Sequence, residues 1–320
     1  MMKRRSFLLA STCSVLSVMR SHANERRLVK LVIPYAAGAN SDVFTRALAQ
    51  QVTAQGGPQF VVENRPGGGG TIAAMAVKQA SPDGLTLLVA NVGSHAILPA
   101  IQPLSYDPFQ DFVAVTQLFY FPNFLILPTR IPAQNLAELM DWAVQQPKGL
   151  SFGSQGVGSP GHLLGAMLMR HSAARMVHVP YAAGGGPMNM DLIAGRLDTV
   201  FSTYASMRSH AEQGKVRFLA VASAHRSSLL PQVPTLAEAG MPDVELDSWF
   251  GLLAPYGTPL PVVEHLSDMF AMAAQSPQIQ QLFATQGVTL QVDGSQALAQ
   301  RMHRDHQRFA RLGQQVHLNR

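Results

Sequence analysis

The sequence predicts an α/β protein of two lobes, each a mostly parallel sheet flanked by helices, with a cleft between them. Three observations carry that expectation. Short apolar runs alternate with helix-period stretches twice over, once before Phe112 and again after Leu127. Two apolar, β-prone passages, Phe112–Leu127 and Trp249–Ala254, can carry the chain from one set to the other and back. Several strands also end in glycine-rich loops that run straight into helices, and strand C-termini are where open α/β sheets bind ligands.

In chain order, Leu31-Val32-Ile33 reads as a buried strand. Gly38 turns the backbone after it, and Asn40, Ser41 or Asp42 can cap the helix that follows. Phe60–Glu63 is a second strand, and glycines 67–70 lead to a helix from about Thr71. Thr86–Ala90 is a third strand, ending in Asn91-Val92-Gly93-Ser94-His95. After the first crossing, Leu136–Val144 is helical, Leu150–Phe152 a strand, Gly161–Arg170 a helix, Met176–Val179 a strand and Met188–Ile193 a helix. Leu197–Phe201 and Val216–Ala222 are strands on either side of a helix at Ala205–Gln213. The closing helices are Val262–Ala274, Gln278–Gln286 and Ala297–Leu312, with a short strand at Val288–Val292. Two such sets joined by two crossings make a hinged layout, with 24–124 plus 251–320 as one domain and 125–250 as the other.

Residues 1–23 read as a secretory signal peptide. Lys3, Arg4 and Arg5 precede the mostly apolar run Phe7–Val18, and Ser21-His22-Ala23 offers a cleavage site after Ala23. Arg4-Arg5-Ser6-Phe7-Leu8 resembles a twin-arginine signal, so general secretory or twin-arginine export both remain open, and the expected location is the periplasm. Removing this segment takes away four basic residues and no acid, so the formal charge falls from +5 to +1. A nearly neutral chain lacks the concentrated basic face that nucleic-acid binding needs. Cys13, the only cysteine, leaves with the signal, which excludes disulfides and thiolate-bound metal from the mature chain.

The loops suggest the chemistry. Tyr35, Ala36, Gly38, Ala39, Asn40, Ser41 and Asp42 lie at one helix N-terminus, where unpaired N–H groups and the helix dipole favour an anion. The second lobe repeats the device. Leu150–Phe152 runs into a loop holding Ser154, Gly156, Gly158 and Ser159, with Ser159 as a good N-cap and Pro160 as a good first helical residue. The turn Tyr181-Ala182-Ala183-Gly184-Gly185-Gly186-Pro187 is a third of this kind. Gly93, Ser94 and His95 at one strand end, Ser202 and Thr203 at another, and Trp249 at the second crossing complete the candidate contacts, although Trp249 suits a core equally well. These loops contain almost no Lys or Arg, so a weakly charged carboxylate fits them better than a phosphate or a tricarboxylate.

Signatures of other chemistries are poor. Gly68-x-Gly70-x-x-Ala73 is separated from its strand by Asn64-Arg65-Pro66 and has no acid about 20 residues on, so it makes a weak dinucleotide fingerprint. There is no G-x-S-x-G elbow and no phosphate loop. His303 and His306 share a helix face without a third ligand nearby, and His162 reads as a helix-start residue. No metal and no cofactor are expected. An exported hydrolase on the same scaffold is the rival class, because a catalytic constellation can assemble in space without a sequence signature.

Taken together, the motifs resemble the Bug family, the extracytoplasmic solute receptors related to tripartite tricarboxylate transporters (TctC-like periplasmic binding proteins). The resemblance rests on the run Ile33–Asp42, on Val61–Gly70, on Ser81-Pro82-Asp83-Gly84 and on Tyr106-Asp107-Pro108 with Asp111-Phe112. The second lobe adds Ser154-x-Gly156-x-Gly158-Ser159-Pro160-x-His162-Leu163, Val179-Pro180-Tyr181 and Pro231-x-Val233-Pro234-Thr235-Leu236-x-Glu238-x-Gly240. It implies a two-domain periplasmic binding protein, type II-like, that is not an enzyme and closes as a monomer on a small-molecule carboxylate. The loops matching Tyr35–Asp42 and Ser154–Ser159 would grip one carboxylate through backbone amides, with ordered water helping. Membrane subunits of the transporter, or a sensor kinase, would read the closed form. Departures from the family pattern are local. Ala36-Ala37-Gly38-Ala39 stands where Pro-Pro-Gly-Gly is common, the Tyr181 turn is one residue longer and lacks a basic residue at Ala182, and Ser202-Thr203 replaces a frequent Asp-Asn. Without that acid a ligand ammonium loses its partner, so amino acids are expected to bind poorly.

Overall fold

The computed structural model describes residues 28–172, 174–181 and 184–315. The expected signal peptide with its cleavage site, and Ala182, lie outside the described residues. The first set of elements is β1 (Leu28–Ile33), α1 (Asn40–Ala54), β2 (Gln59–Asn64), α2 (Thr71–Lys78), β3 (Thr86–Asn91), α3 (Leu98–Ile101) and β4 (Phe112–Pro122). The second is β5 (Phe124–Pro128), α4 (Leu136–Val144), β6 (Leu150–Ser154), α5 (Pro160–His171), β7 (Met176–Pro180), α6 (Gly185–Ile193), β8 (Thr199–Ser202), α7 (Tyr204–Glu212) and β9 (Val216–Val221). The chain then returns through β10 (Asp247–Pro255) to α8 (Leu260–Ala274), α9 (Pro277–Thr285), β11 (Thr289–Leu290) and α10 (Gly294–Gln315).

The strands form two sheets, ordered β11-β4-β10-β3-β1-β2 and β7-β6-β8-β5-β9. Each keeps the expected parallel unit, β2-β1-β3 in the first and β7-β6-β8 in the second. Neither sheet is mostly parallel, however. Strands β4, β10 and β5 carry the chain between the lobes as extended segments, and they pair antiparallel with their neighbours, which makes both sheets mixed.

Alternation explains the near-continuous apolar strands. In β1, Leu31 and Ile33 face Phe44 and Leu48 of α1 and Phe270 of α8, whereas Val32 faces the other side with Ala73 and Ala74 of α2. That second side continues across the lobes to Leu125, Leu163 and Leu164, so one apolar layer spans the hinge region. Asn123, between β4 and β5, ties the two crossings together. Its amide donates to Leu246 O at 2.9 Å and to Ser248 Oγ at 3.0 Å, and its own carbonyl accepts from Ala222 N at 2.8 Å. No helix among the described residues is long and apolar enough to cross a membrane.

Candidate functional site

The loop after β1 is held by the carboxylate of Asp42. Asp42 accepts from Gly38 N, from Arg46 Nε and from Asn64 Nδ2, each at 2.9 Å, while Asn64 also donates to Tyr35 O at 2.9 Å. Gly38 sits at φ +81°, where a side chain would be strained, so the tight turn needs glycine there. The helix cap differs from the expectation that Asn40, Ser41 or Asp42 supplies it. The N-cap is Ala39, which has no side-chain acceptor, and Asp42 is spent on Gly38. The first N–H groups of α1, at Asn40 and Ser41, therefore have neither a helical nor a capping partner, and both residues line the cleft between the lobes.

The loop before α5 looks alike in sequence and is wired differently. Ser154 is fully buried, its hydroxyl 2.7 Å from His178 Nε2 and accepting from Gly156 N at 3.1 Å. Ser159 Oγ caps α5 by accepting from His162 N at 3.3 Å, and His162 Nδ1 accepts from Gly158 N at 3.2 Å. The rings of His162 and His178 stack at 4.3 Å, with Phe152 on the far side of His178 at 4.9 Å. Burial, and then the neighbouring His178, push His162 down to about 4, and burial lowers His178 as well. Both imidazoles are thus neutral near pH 7, as an Nδ1 that accepts a hydrogen bond requires. A Cβ on Gly158 would run into Leu98, so this loop packs directly against the other lobe.

The inter-lobe cleft has a volume of about 520 Å³. One wall is Tyr35, Ala36, Ala37 and Gly38–Ser41. Facing it is the start of α6, where Gly184 is the N-cap without a capping side chain, and Gly185 and Gly186 carry no side chain to cover the backbone. A Cβ on Gly186 would meet nothing within 4 Å. Ser202, Thr203, Ser206 and His210 form a third wall, and the crossings supply Phe121, Asn123, Ser248 and Phe250. Asn40 Nδ2 donates to Thr203 Oγ1 at 2.6 Å, a hydrogen bond that joins the lobes across the cleft. Among the described residues, no Lys, Arg, Asp or Glu lines it. Tyr35 is pushed up to about 12 by burial and remains a neutral phenol.

Of the candidates from sequence, Tyr35, Ala36, Gly38, Ala39, Asn40, Ser41, Pro160, Ser202 and Thr203 line this cleft. Gly93 and Ser159 instead border an adjoining cavity of about 20 Å³, the size of one water molecule. Asp42, Ser154, Gly156 and Gly158 are structural braces of their loops. Gly93, Ser94 and His95 do not form an open strand-end loop but a buried helical turn. Asn91 Oδ1 accepts from Gly93 N and Ser94 N, and the His95 ring packs against Tyr106 and Phe112 at 5.6 and 5.3 Å. Tyr181 turns its hydroxyl to Asp191 Oδ2 at 2.6 Å, outside the cleft. Trp249 is fully buried and donates from Nε1 to Asp305 on α10 at 2.8 Å. Strand alternation decides its fate, since Ser248 and Phe250 face the cleft and the residue between them must face away. The residues not singled out from sequence were legible by period. Ser206 and His210 follow Thr203 at i+3 and i+7 on one helix face, and Asn189 and Met190 follow the glycines of α6. His303 and His306 pack against Phe109 at 4.1 and 5.3 Å. No group of metal-binding side chains occurs among the described residues.

The profile of the tripartite tricarboxylate transporter family receptor matches residues 44–318. The chain belongs to that family. It is 32% identical to the UPF0065 protein in the tcbD-tcbE intergenic region of Pseudomonas sp., over 97% of this chain and 93% of the relative. It superimposes on MatC from Rhodopseudomonas palustris with bound malate at a TM-score of 0.84 and 29% identity, covering 89% of this chain and 98% of that one. A second R. palustris protein, solved with adipate, gives 0.86 and 31%, covering 91% and 98%. This receptor is accordingly a periplasmic solute-binding protein of the two-domain α/β type and not an enzyme, which sets the hydrolase alternative aside.

Proposed function

We propose that this receptor captures a small mono- or dicarboxylate, and not an amino acid, between its two domains, 24–124 with 251–320 and 125–250. The observation that carries the reading is the pair of uncapped helix starts, α1 at Asn40-Ser41 and α6 at Gly185-Gly186, facing each other across a cleft without charged side chains. Each start offers N–H groups in need of an acceptor and the positive end of a helix dipole, a favourable interaction of about 0.3–1 kcal/mol with an anion at each. The Thr203 hydroxyl, which accepts from Asn40 Nδ2, adds a donor, and the water-sized cavity beside the cleft suits a bridging water. Donors of this kind are fixed before binding, which limits the entropy lost on capture. A cleft without Asp or Glu gives a ligand ammonium no partner, which disfavours amino acids. Bound malate and adipate in the two R. palustris proteins support the carboxylate class.

The Asn40–Thr203 hydrogen bond joins the lobes across the cleft, and a closed form stabilised by ligand is what a membrane transporter subunit or a sensor kinase would read. Export through the signal at residues 1–23, by the secretory or twin-arginine route, and action as a monomer without a cofactor complete the reading. A thermal-shift screen of malate, succinate, adipate, benzoate, aspartate and glutamate, followed by calorimetry, tests it. Saturable binding of carboxylates with no consumption of ligand is the expected result. Micromolar binding of aspartate or glutamate would overturn the exclusion of amino acids, and disappearance of ligand would overturn the receptor reading.

A further inference from the structure

Four helices begin on the cleft, and their starts are not equivalent. Those of α1 and α6 have no capping side chain and face each other. The α5 start is capped by Ser159, and the residue it presents to the cleft, Pro160, has no N–H to give. The α7 start borders the cleft through Thr203 and Ser206, and it too is closed from within, because Thr203 Oγ1 accepts from Ser206 N at 3.3 Å. Among the described residues the cleft thus has one pair of uncapped helix starts, and a single carboxylate held between α1 and α6 uses both.

The polar side chains of the other walls are largely spent on one another. Asn123 and Ser248, from the two crossings, exchange hydrogen bonds at 3.0 and 3.2 Å, and Asn123 Nδ2 also donates to Leu246 O. Ser202 Oγ donates to Asn189 Oδ1 at 3.1 Å, and Ser206 Oγ to Thr203 O at 3.2 Å. Asn40 and Thr203 are engaged with each other beside the α1 start. The His210 Nδ1 is buried, with no surface to offer a ligand. Much of the remaining lining is apolar. Phe250 lies 6.1 Å from Tyr35 and 5.4 Å from Phe121, ring centre to ring centre, and the three rings share the cleft with Met190, Pro187 and Ala36. A second carboxylate against this wall would lose its hydration and find neither an open helix start nor a Lys or Arg among the described lining, whereas a hydrocarbon body gains by leaving water.

Resting on the carboxylate reading and narrowing it, we infer that the ligand class is a monocarboxylate with an uncharged, mainly apolar body, and that dicarboxylates are poor ligands of this chain. Calorimetry on the mature protein at pH 8, where every carboxyl of the panel is ionised, tests the inference. It compares butanoate with succinate and hexanoate with adipate, pairs of equal carbon number that differ by one terminal carboxylate, and adds hexan-1-ol as a ligand with none. Each monocarboxylate is expected to bind at least about tenfold tighter than its dicarboxylate. Hexanoate should bind about tenfold tighter than butanoate, because its additional methylenes leave water, and hexan-1-ol should bind more weakly than hexanoate. Succinate or adipate binding as tightly as its monocarboxylate, or butanoate binding as tightly as hexanoate, would overturn the inference while leaving the carboxylate reading intact. Hexan-1-ol matching hexanoate, or no binding by any of the four acids, would overturn the carboxylate reading and the inference with it.

Discussion

Helices α1 and α5 both begin after a glycine-rich loop at a strand end, one in each lobe, yet their first N–H groups meet opposite fates. At α5 the loop closes on itself. Ser159 caps the helix, His162 takes Gly158 N, and Ser154 is locked to His178. At α1 the N-cap is Ala39, the Asp42 carboxylate is spent on Gly38, Arg46 and Asn64, and the helix start remains open to the cleft. The partner that faces α1 is α6, whose glycines cap nothing. A glycine-rich strand-to-helix turn is therefore only a potential anion site. Whether it is a working one depends on whether the chain has already satisfied its donors.

The strongest way to break the contrast is to cap α1. Ala39 already has the extended conformation of an N-cap, at φ −66° and ψ 155°, so Ala39→Asp should satisfy the helix start from within. It should stabilise the fold by about 1 kcal/mol while lowering carboxylate affinity on the order of a hundredfold, through competition and like-charge repulsion. Melting curves and calorimetry on one preparation read both effects. Asp42→Ala should lower stability and affinity together. Stripping the acceptor from Gly38 N, Arg46 and Asn64 should cost about 2 kcal/mol in urea denaturation and, by loosening the loop, lower affinity about tenfold.

The α5 loop should reveal itself through acid. His162, pushed down to about 4, His178, also lowered, and His95, pushed down to about 3 by burial, are neutral in the fold and ready to charge when unfolded. The unfolded chain therefore binds more protons below about pH 6.5, and the stability present above that pH is lost progressively as pH falls toward 4. Asp247, raised to about 6 chiefly by burial, acts with the opposite sign, favouring the fold as pH falls through that value and partly masking the loss. Melting temperatures from pH 7 to 4 should fall, and His162→Gln should flatten the slope. The smallest effect is expected from Ser159→Ala, which removes the α5 cap at a cost of about 1 kcal/mol but leaves carboxylate affinity within about twofold, because the donors of that loop are already satisfied within it.

Most of the fold was legible in the sequence because period and punctuation are local. Strand-to-helix alternation marked both parallel units, and the two apolar crossings marked where the chain changes sheet. Strand direction was not legible at β4, β5 and β10, since an apolar extended run reads the same whichever way its neighbours point. In the site, Tyr35–Ser41 and Ser202-Thr203 were found from loop composition. Gly93–His95 were misplaced because Asn91 converts an apparent strand-end loop into a buried turn, a consequence of one side-chain hydrogen-bonding choice. Trp249 could have been assigned to the core by alternation with Ser248 and Phe250, and His210 by its spacing from Thr203. The role of α6 was not legible, because it depends on α5 having capped itself.

The two-jaw grip is tested most directly by a crystal structure of the mature protein with the carboxylate that gives the largest thermal shift. The expected result places the carboxylate oxygens about 2.9 Å from the backbone nitrogens of Asn40 or Ser41 on one side and of Gly185 or Gly186 on the other. A carboxylate seated instead on the backbone of Gly156–Gly158, with α1 and α6 left bare, would contradict it.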